Sequence, residues 1–359
     1  MRELNIAVIP GDGIGPEVIP QAVAALEAAA ASHGGLRIAA ESFPWGSEHY
    51  LEHGHVMPDD GPERLAGFDA ILAGPVGDPR IPDTVTVWGL ILALRQAFDQ
   101  YVNLRPAQLL TGVRGPLADV PPESVDMVFV RENTEGEYGG AGGRVHRDRP
   151  AEVAVETSVF TRSGIERIVR YAFEHARAAG RRRVTSATKS NALRHAMPLW
   201  DEVFAEVAAD YADIEHDSCL IDALVARMVS RPDSLDVVVA SNLFGDILTD
   251  LGAAIAGSMG LAPSANLDPT RRSPSLFQAI HGSAPDIAGR GIANPIAEIW
   301  SAAMLLEFAG EQEAGAALME AVRETVADPA RRTTDLGGSA STAEVGTAVC
   351  AAVAARATA

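Results

Sequence analysis

The chain is short of cysteine, short of basic residues and free of long apolar runs, and each shortage excludes something. Cys219 and Cys350 are the only cysteines in 359 residues. No disulfide framework or zinc-binding cysteine spacing can be built from them, so a reducing, cytoplasmic setting is expected. Lys and Arg together number 29 against 48 Asp and Glu, a net charge of −19. Nucleic-acid binding needs a basic footprint, so no nucleic-acid partner is expected. A small anionic ligand would need a local basic pocket inside an acidic protein. No apolar run approaches the ~18 residues of a membrane span, and the opening MRELNIAVIPGDG lacks the basic–apolar–small order of a signal peptide. No membrane partner is expected. Internal repeats and low-complexity linkers are also missing.

What is present alternates. Short apolar runs at 4–9, 68–74, 125–131, 184–188 and 235–240 read as strands, and helical patterns at 17–32, 88–101, 161–180 and 197–211 lie between them, followed by an Ala-rich tail. That order predicts an α/β protein with a largely parallel, helix-covered sheet. The length allows two domains or one two-lobed unit. The Gly-rich patch 139–144 reads as a mobile loop or short arm.

Two patterns invite over-reading. PGDGIGPE (10–17) follows a strand and precedes a helix, but it is not G-x-G-x-x-G, and no acidic residue ends a second strand about 20 residues on. A tight strand-to-helix turn is the better reading, and the fold is not expected to be Rossmann. His49, His53 and His55 lack further ligand partners and read as a solvated patch.

The most informative residues are Asp246 and Asp250 in SNLFGDILTDLG (241–252). A helix starting near Ser241 or Asn242 puts them on one face, about 5–6 Å apart. They are either solvated aspartates on a surface turn or ligands of a hard cation such as Mg²⁺ or Mn²⁺. Three arginines sharpen the choice: Arg95 closes an apolar helix, Arg105 lies in YVNLRP and Arg131 ends a strand. Guanidinium groups grip carboxylates in bidentate fashion. Together with a metal, the three suggest a small acid held between arginines and a cation.

The segments PGDGIGPE (10–17), NLRP (103–106), VRENTEGEYGG (130–140), TSATKSN (185–191), ASNLFGDILTDLG (240–252), HGSAPDIAG (281–289) and IANP (292–295) run in one order over nearly the whole chain. In that order the sequence resembles the β-decarboxylating dehydrogenases, the isocitrate/isopropylmalate dehydrogenase family. The resemblance implies a fold of two α/β domains with a mixed sheet. Residues 1–103 plus 257–359 would form the large domain and 104–256 the small one, in a homodimer with shared active sites. It implies that Arg95, Arg105, Arg131 and Asn191 bind a hydroxy-diacid. Asp246 and Asp250, with Asp222 of the partner subunit, would hold Mg²⁺ or Mn²⁺. Lys189, also delivered by the partner, would accept the hydroxyl proton with a pKa below the usual ~10.4, and Tyr138 would return a proton after CO₂ leaves. His281, Gly282, Ser283, Ala284, Pro285, Asp286 and Asn294 would bind the cofactor. An acidic residue at 286 implies NAD, because it would repel a 2′-phosphate.

The resemblance also bears on the substrate. Isocitrate enzymes place a serine six residues before the first arginine, and isopropylmalate enzymes a glutamate seven before. Here those positions are Gly89 and Trp88. A tryptophan shrinks the slot at C3 and offers no partner to a third carboxylate, which implies D-malate or tartrate. HGHVMPDD (53–60), QYVNLRP (100–106) and APSANLDP (262–269) also resemble the tartrate/D-malate branch, while Gln278, Ala279, Thr84 and Leu220 depart from it. Two alternatives stand beside this reading. One is 3-isopropylmalate or another 3-alkylmalate as substrate. The other is a non-catalytic regulatory subunit, against which the presence of Lys189, Tyr138, Asp222, Asp246 and Asp250 speaks.

Overall fold

The computed structural model describes residues 1–118 and 120–356. Twelve strands occur among them in chain order: β1 (Arg2–Ile9), β2 (Leu36–Ser42), β3 (Ala70–Ala73), β4 (Val102–Gln108), β5 (Asp126–Glu132), β6 (Gly136–Val145), β7 (Val153–Val159), β8 (Arg183–Thr188), β9 (Glu215–Leu220), β10 (Val237–Ala240), β11 (Pro263–Leu267) and β12 (Ser275–Ala279). The residues separate into two compact units. The first holds Met1–Gln100, Gln108–Pro122 and Ala253–Ala359, and the second Tyr101–Ala107 and Glu123–Gly252. The sequence reading drew one cut on each side of a continuous middle segment, whereas Gln108–Pro122 clusters with the termini.

In the first unit the strand order is β2-β1-β3-β12-β11. The pairs β1–β2, β1–β3 and β3–β12 are parallel, and β11 runs antiparallel to β12. This is the mixed sheet of the expected class. Strand β3 is apolar and buried at all four residues, as a strand covered on both faces must be. Helix Gly15–His33 packs Val18, Ile19, Ala22, Ala25 and Leu26 inward, and the helix Ile296–Phe308, buried at every residue through Leu306, follows the IANP segment.

The second unit orders its strands β4-β5-β10-β8-β9, with β5, β10, β8 and β9 parallel. Helix Arg162–Ala178 begins at Thr161, whose hydroxyl accepts from Gly164 N at 2.9 Å, a side-chain cap. It buries Ile165, Ile168, Val169, Ala172 and Phe173. Because the four strands are parallel, their carboxyl ends lie along one edge. Arg131 pairs with Ala240 in register, and Thr188 with Leu220. That edge is where ligands gather in open α/β sheets.

Two expectations need correction. Of the two readings of the Gly-rich patch 139–144, the mobile loop falls: it is part of β6, which forms a two-stranded antiparallel ribbon with β7, in keeping with a short arm. Ladder hydrogen bonds supply there what the missing side chains cannot. The helix expected over 88–101 ends at Ala97, and Asp99 takes φ 43°. The helix starts earlier, at Asp83, and its middle is a π-turn, Val87–Ile91, a local widening that often marks a functional position.

Candidate active site

The carboxyl edge of the second unit's sheet carries a dense ionic cluster. Arg131, on β5 and 2% exposed, donates Nη2 to Asn242 Oδ1 at 2.7 Å and Nε to the same oxygen at 3.1 Å. Its Nη1 pairs with Asp246 Oδ1. Arg105, on β4, reaches Asp246 Oδ1 at 3.3 Å and Thr249 Oγ1 at 2.6 Å. Tyr138 donates its hydroxyl to Asp246 Oδ2 at 3.1 Å, and its ring lies 5.6 Å from the Arg131 guanidinium. One carboxylate thus meets two buried arginines and a phenol.

Local sequence explains how this geometry arises. A Cβ on Gly245 would lie 2.5 Å from Arg131 Cγ and 2.6 Å from its Cβ, so only glycine lets the arginine stem lie against helix Asn242–Ile255. Glu137 holds the start of that helix, its Oε1 accepting from Ser241 Oγ at 2.9 Å and its Oε2 from Leu243 N at 3.0 Å. The sequence reading gave the cap to Ser241 or Asn242 and missed Glu137. The only available signal was a carboxylate one residue before Tyr138.

The electrostatics follow from crowding. Burial, and then the charge of Arg131, pull Arg105 down to about 10. Partial desolvation and then the charge of Asp246 raise the Asp250 carboxyl, with Arg105 and Arg131 pulling the other way. Two like charges one turn apart are a place that a cation would relieve. Burial, and then Asp246, push the Tyr138 phenol up, so it keeps its proton at neutral pH. Among the described residues no three His, Cys, Asp or Glu side chains form a metal-binding group.

A second pair stands on neighbouring strand ends. Lys189 follows β8 and Asp222 follows β9, and Lys189 Nζ donates to Asp222 Oδ1 at 2.5 Å. The lysine side chain is 26% exposed and the aspartate 68%. Lys189 is the only lysine in the chain, the other 28 basic residues all being arginine. Arginine stays protonated in proteins while a lysine can give up its proton. The one amine kept lies in TSATKSN, a compositional signal that motif reading overlooked. Asn191 lies exposed in the turn after Lys189.

The first unit holds the remaining candidates. Arg95 is 5% exposed in helix Leu92–Ala97, and Trp88 and Gly89 form part of the π-turn, Trp88 at 40% exposure. In loop 281–289, His281 Nδ1 lies 3.1 Å from Gly282 O. That oxygen can only accept, so Nδ1 carries the proton, and Nε2 is left as a buried acceptor without a partner. Burial lowers the His281 pKa, which keeps the ring neutral. Ser283 is buried and Asp286 exposed. Asn294 donates Nδ2 to Asp335 at 3.0 Å and accepts from Ile296 N at 3.0 Å, so its amide is largely engaged within the unit.

Residues 5–349 match the family model described as isocitrate/isopropylmalate dehydrogenase. The chain belongs to that family. It is 53% identical over 354 residues to a "Probable tartrate dehydrogenase/decarboxylase" of Agrobacterium vitis, covering 99% of each chain. It is 51% identical to the "D-malate dehydrogenase [decarboxylating]" of Escherichia coli (98% of each) and 49% to the "Tartrate dehydrogenase/decarboxylase" of Pseudomonas putida (97% of each). Among solved structures, isocitrate dehydrogenase from Methylococcus capsulatus matches with a TM-score of 0.87 and 38% identity over 98% of this chain and 99% of that one. The fold is therefore isocitrate dehydrogenase-like, and the protein is an enzyme of a decarboxylating dehydrogenase family. No helix among the described residues is long and apolar enough to cross a membrane.

Proposed function

We propose that the enzyme catalyses NAD-dependent oxidative decarboxylation of D-malate to pyruvate and CO₂, with tartrate as a second substrate. The observation that carries this reading is the arginine–carboxylate–phenol cluster around Asp246, together with a Lys189–Asp222 pair for a partner subunit to supply, in a chain about half identical to enzymes named for those two substrates.

Arg95, Arg105 and Arg131 hold the substrate carboxylates. Asp246 and Asp250 fit a Mg²⁺ or Mn²⁺ ion, with Asp222 of the partner subunit as the third carboxylate, which makes the enzyme a homodimer. The residues of loop 281–289 fit NAD: His281 Nε2 offers an acceptor to the adenine amine, and the exposed Asp286 carboxylate suits the ribose hydroxyls. When bound, NAD would supply the hydride acceptor for C2 and the cation would supply a Lewis acid at the C2 oxygen. Lys189 of the partner subunit takes the hydroxyl proton, which requires it to give up its own first. Tyr138, still protonated, delivers a proton to C3 once CO₂ has left.

Substrate choice rests on the π-turn. A Cβ at Gly89 would lie 2.5 Å from Val56 Cγ2, and Val56 is buried in an apolar cluster with Trp45, Leu90 and Leu94. The serine that isocitrate enzymes carry at this position would not fit without repacking. A buried third carboxylate would then lack a partner, which is costly.

NADH production with Mn²⁺ across D-malate, L-malate, the tartrates, isocitrate and 3-isopropylmalate tests the reading. D-malate should give the highest kcat/KM, followed by tartrate. A preference for isocitrate or 3-isopropylmalate would overturn it.

A further inference from the structure

The opening PGDGIGPE segment is not a dinucleotide fingerprint, yet it is bound tightly to loop 281–291. Glu17 lies in the first turn of helix Gly15–His33. Its Oε1 accepts from Gly289 N at 2.5 Å and its Oε2 from Gly291 N at 2.7 Å. Ile14 N donates to Ser283 O at 2.9 Å. Gly13 has φ +58°, and a Cβ there would lie 1.9 Å from Ser283 O. Ile14, Val18 and Ala293 form a small buried cluster against which Ala284, Ile287 and Ala288 pack. The loop therefore has an apolar floor, a backbone contact at Ser283 and an anionic clamp behind it.

The loop needs such support. Ala284 sits at φ +43°, a conformation that L-residues rarely adopt, and Gly289 and Gly291 are also left-handed. Backbone of this kind persists only where its surroundings hold it. Both oxygens of one carboxylate are spent on two amides of the loop, and charge-assisted bonds of this type are the strong ones.

We propose that Glu17 is the positioning residue of the cofactor loop: it fixes the turn behind Asp286 so that His281 and Asp286 are preorganised for the dinucleotide, an assignment that rests on the NAD reading above. Glutamine at 17 keeps one acceptor but turns an N–H₂ toward the other loop amide. Aspartate keeps both acceptors and the charge on a shorter stem.

The test is NADH binding to the purified full-length enzyme without substrate, followed by NADH fluorescence, together with steady-state kinetics. Glu17→Gln should weaken NADH binding and raise KM for NAD by about tenfold, the scale of one charged hydrogen bond lost. The kcat at saturating NAD and the KM for D-malate should stay near wild type, a split that a general loss of stability would not produce. Hydrogen exchange at Gly289 and Gly291 should speed up, and Glu17→Asp should recover part of the affinity. Wild-type NADH affinity in Glu17→Gln, or no recovery in Glu17→Asp, overturns the clamp while leaving the NAD reading intact. Failure of the wild type itself to bind NADH overturns both.

Discussion

The two units present their functional residues by different physical means. At the edge of the second unit's sheet the work is done by charge: Arg105, Arg131, Tyr138 and Asp246 are interlocked, and Lys189 and Asp222 form a pair on the next strand ends. Crowding has changed the proton affinities of this cluster, up for Tyr138 and Asp250 and down for Arg105. In the first unit the work is done by backbone shape. Loop 281–291, with its left-handed glycines and one strained alanine, is held by a carboxylate clamp, and the π-turn at 87–91 sets Gly89 against Val56. A charge cluster fails when one partner is removed, whereas a shaped loop fails when a methyl group is added.

The largest effect is expected for Asp246→Asn. It removes one of the two carboxylates that this chain would offer a cation and leaves Arg105 and Arg131 without their shared carboxylate. Activity should fall at least ~10²-fold, the scale at which misplaced catalytic groups act, and Mn²⁺ activation should weaken in the same titration. Activity that persists unchanged in excess chelator would remove the metal from the account.

Gly245→Ala comes next. Its added methyl meets the Arg131 stem at 2.5–2.6 Å, and a buried guanidinium held by Asn242 has little room to give. Overpacking of this kind costs about 1–3 kcal/mol, to be read by denaturant unfolding, with a rise in KM for D-malate. An unchanged KM would mean that Arg131 is not set by this contact.

Gly89→Ser should cost somewhat less than Gly245→Ala, because the atom it meets is a side-chain methyl of Val56. Adding Val56→Ala should restore stability and raise the isocitrate to D-malate activity ratio above that of wild type. If the ratio stays flat in the folded double variant, the π-turn does not read the substrate.

The smallest effect is a pH trend. Glu298 is wholly buried, and burial, opposed by a backbone hydrogen bond at Ala279, raises its pKa from 4.5 to about 8. The folded state therefore holds the proton more tightly than the unfolded chain. Its contribution to stability is full below about 4.5 and is lost as pH rises through about 8. Glu298→Gln should match wild type near the lower value and exceed its Tm near the upper one. Equal Tm differences at both ends would mean that Glu298 does not titrate in this window.

Legibility in the sequence followed the same division. The ionic cluster was readable because the chemistry sits in side chains at fixed spacings: Asp246 and Asp250 four apart, Arg131 at a strand end, Lys189 inside TSATKSN. The α/β class was readable from alternating apolar runs. What escaped was carried by backbone and by distant partners. Glu17 meets Gly289 and Gly291 across the length of the chain, Val56 meets Gly89 through packing alone, and Glu137 caps a helix whose own Ser241 looked sufficient. The strand β6 was hidden because glycine, which carries the ladder there, is the residue that most often signals a loop. Strand β9, reading EHDSCL, has no apolar alternation to reveal it.

The chain's single lysine is the base proposed to accept the hydroxyl proton. Lys189→Arg tests it most directly, since arginine keeps the charge and can still reach Asp222 but does not deprotonate. The variant should fold and bind NADH as the wild type does, while its D-malate turnover falls at least ~10²-fold, the scale of lost acid–base catalysis. Turnover near that of the wild type would contradict it and leave Lys189 as a partner for Asp222 alone.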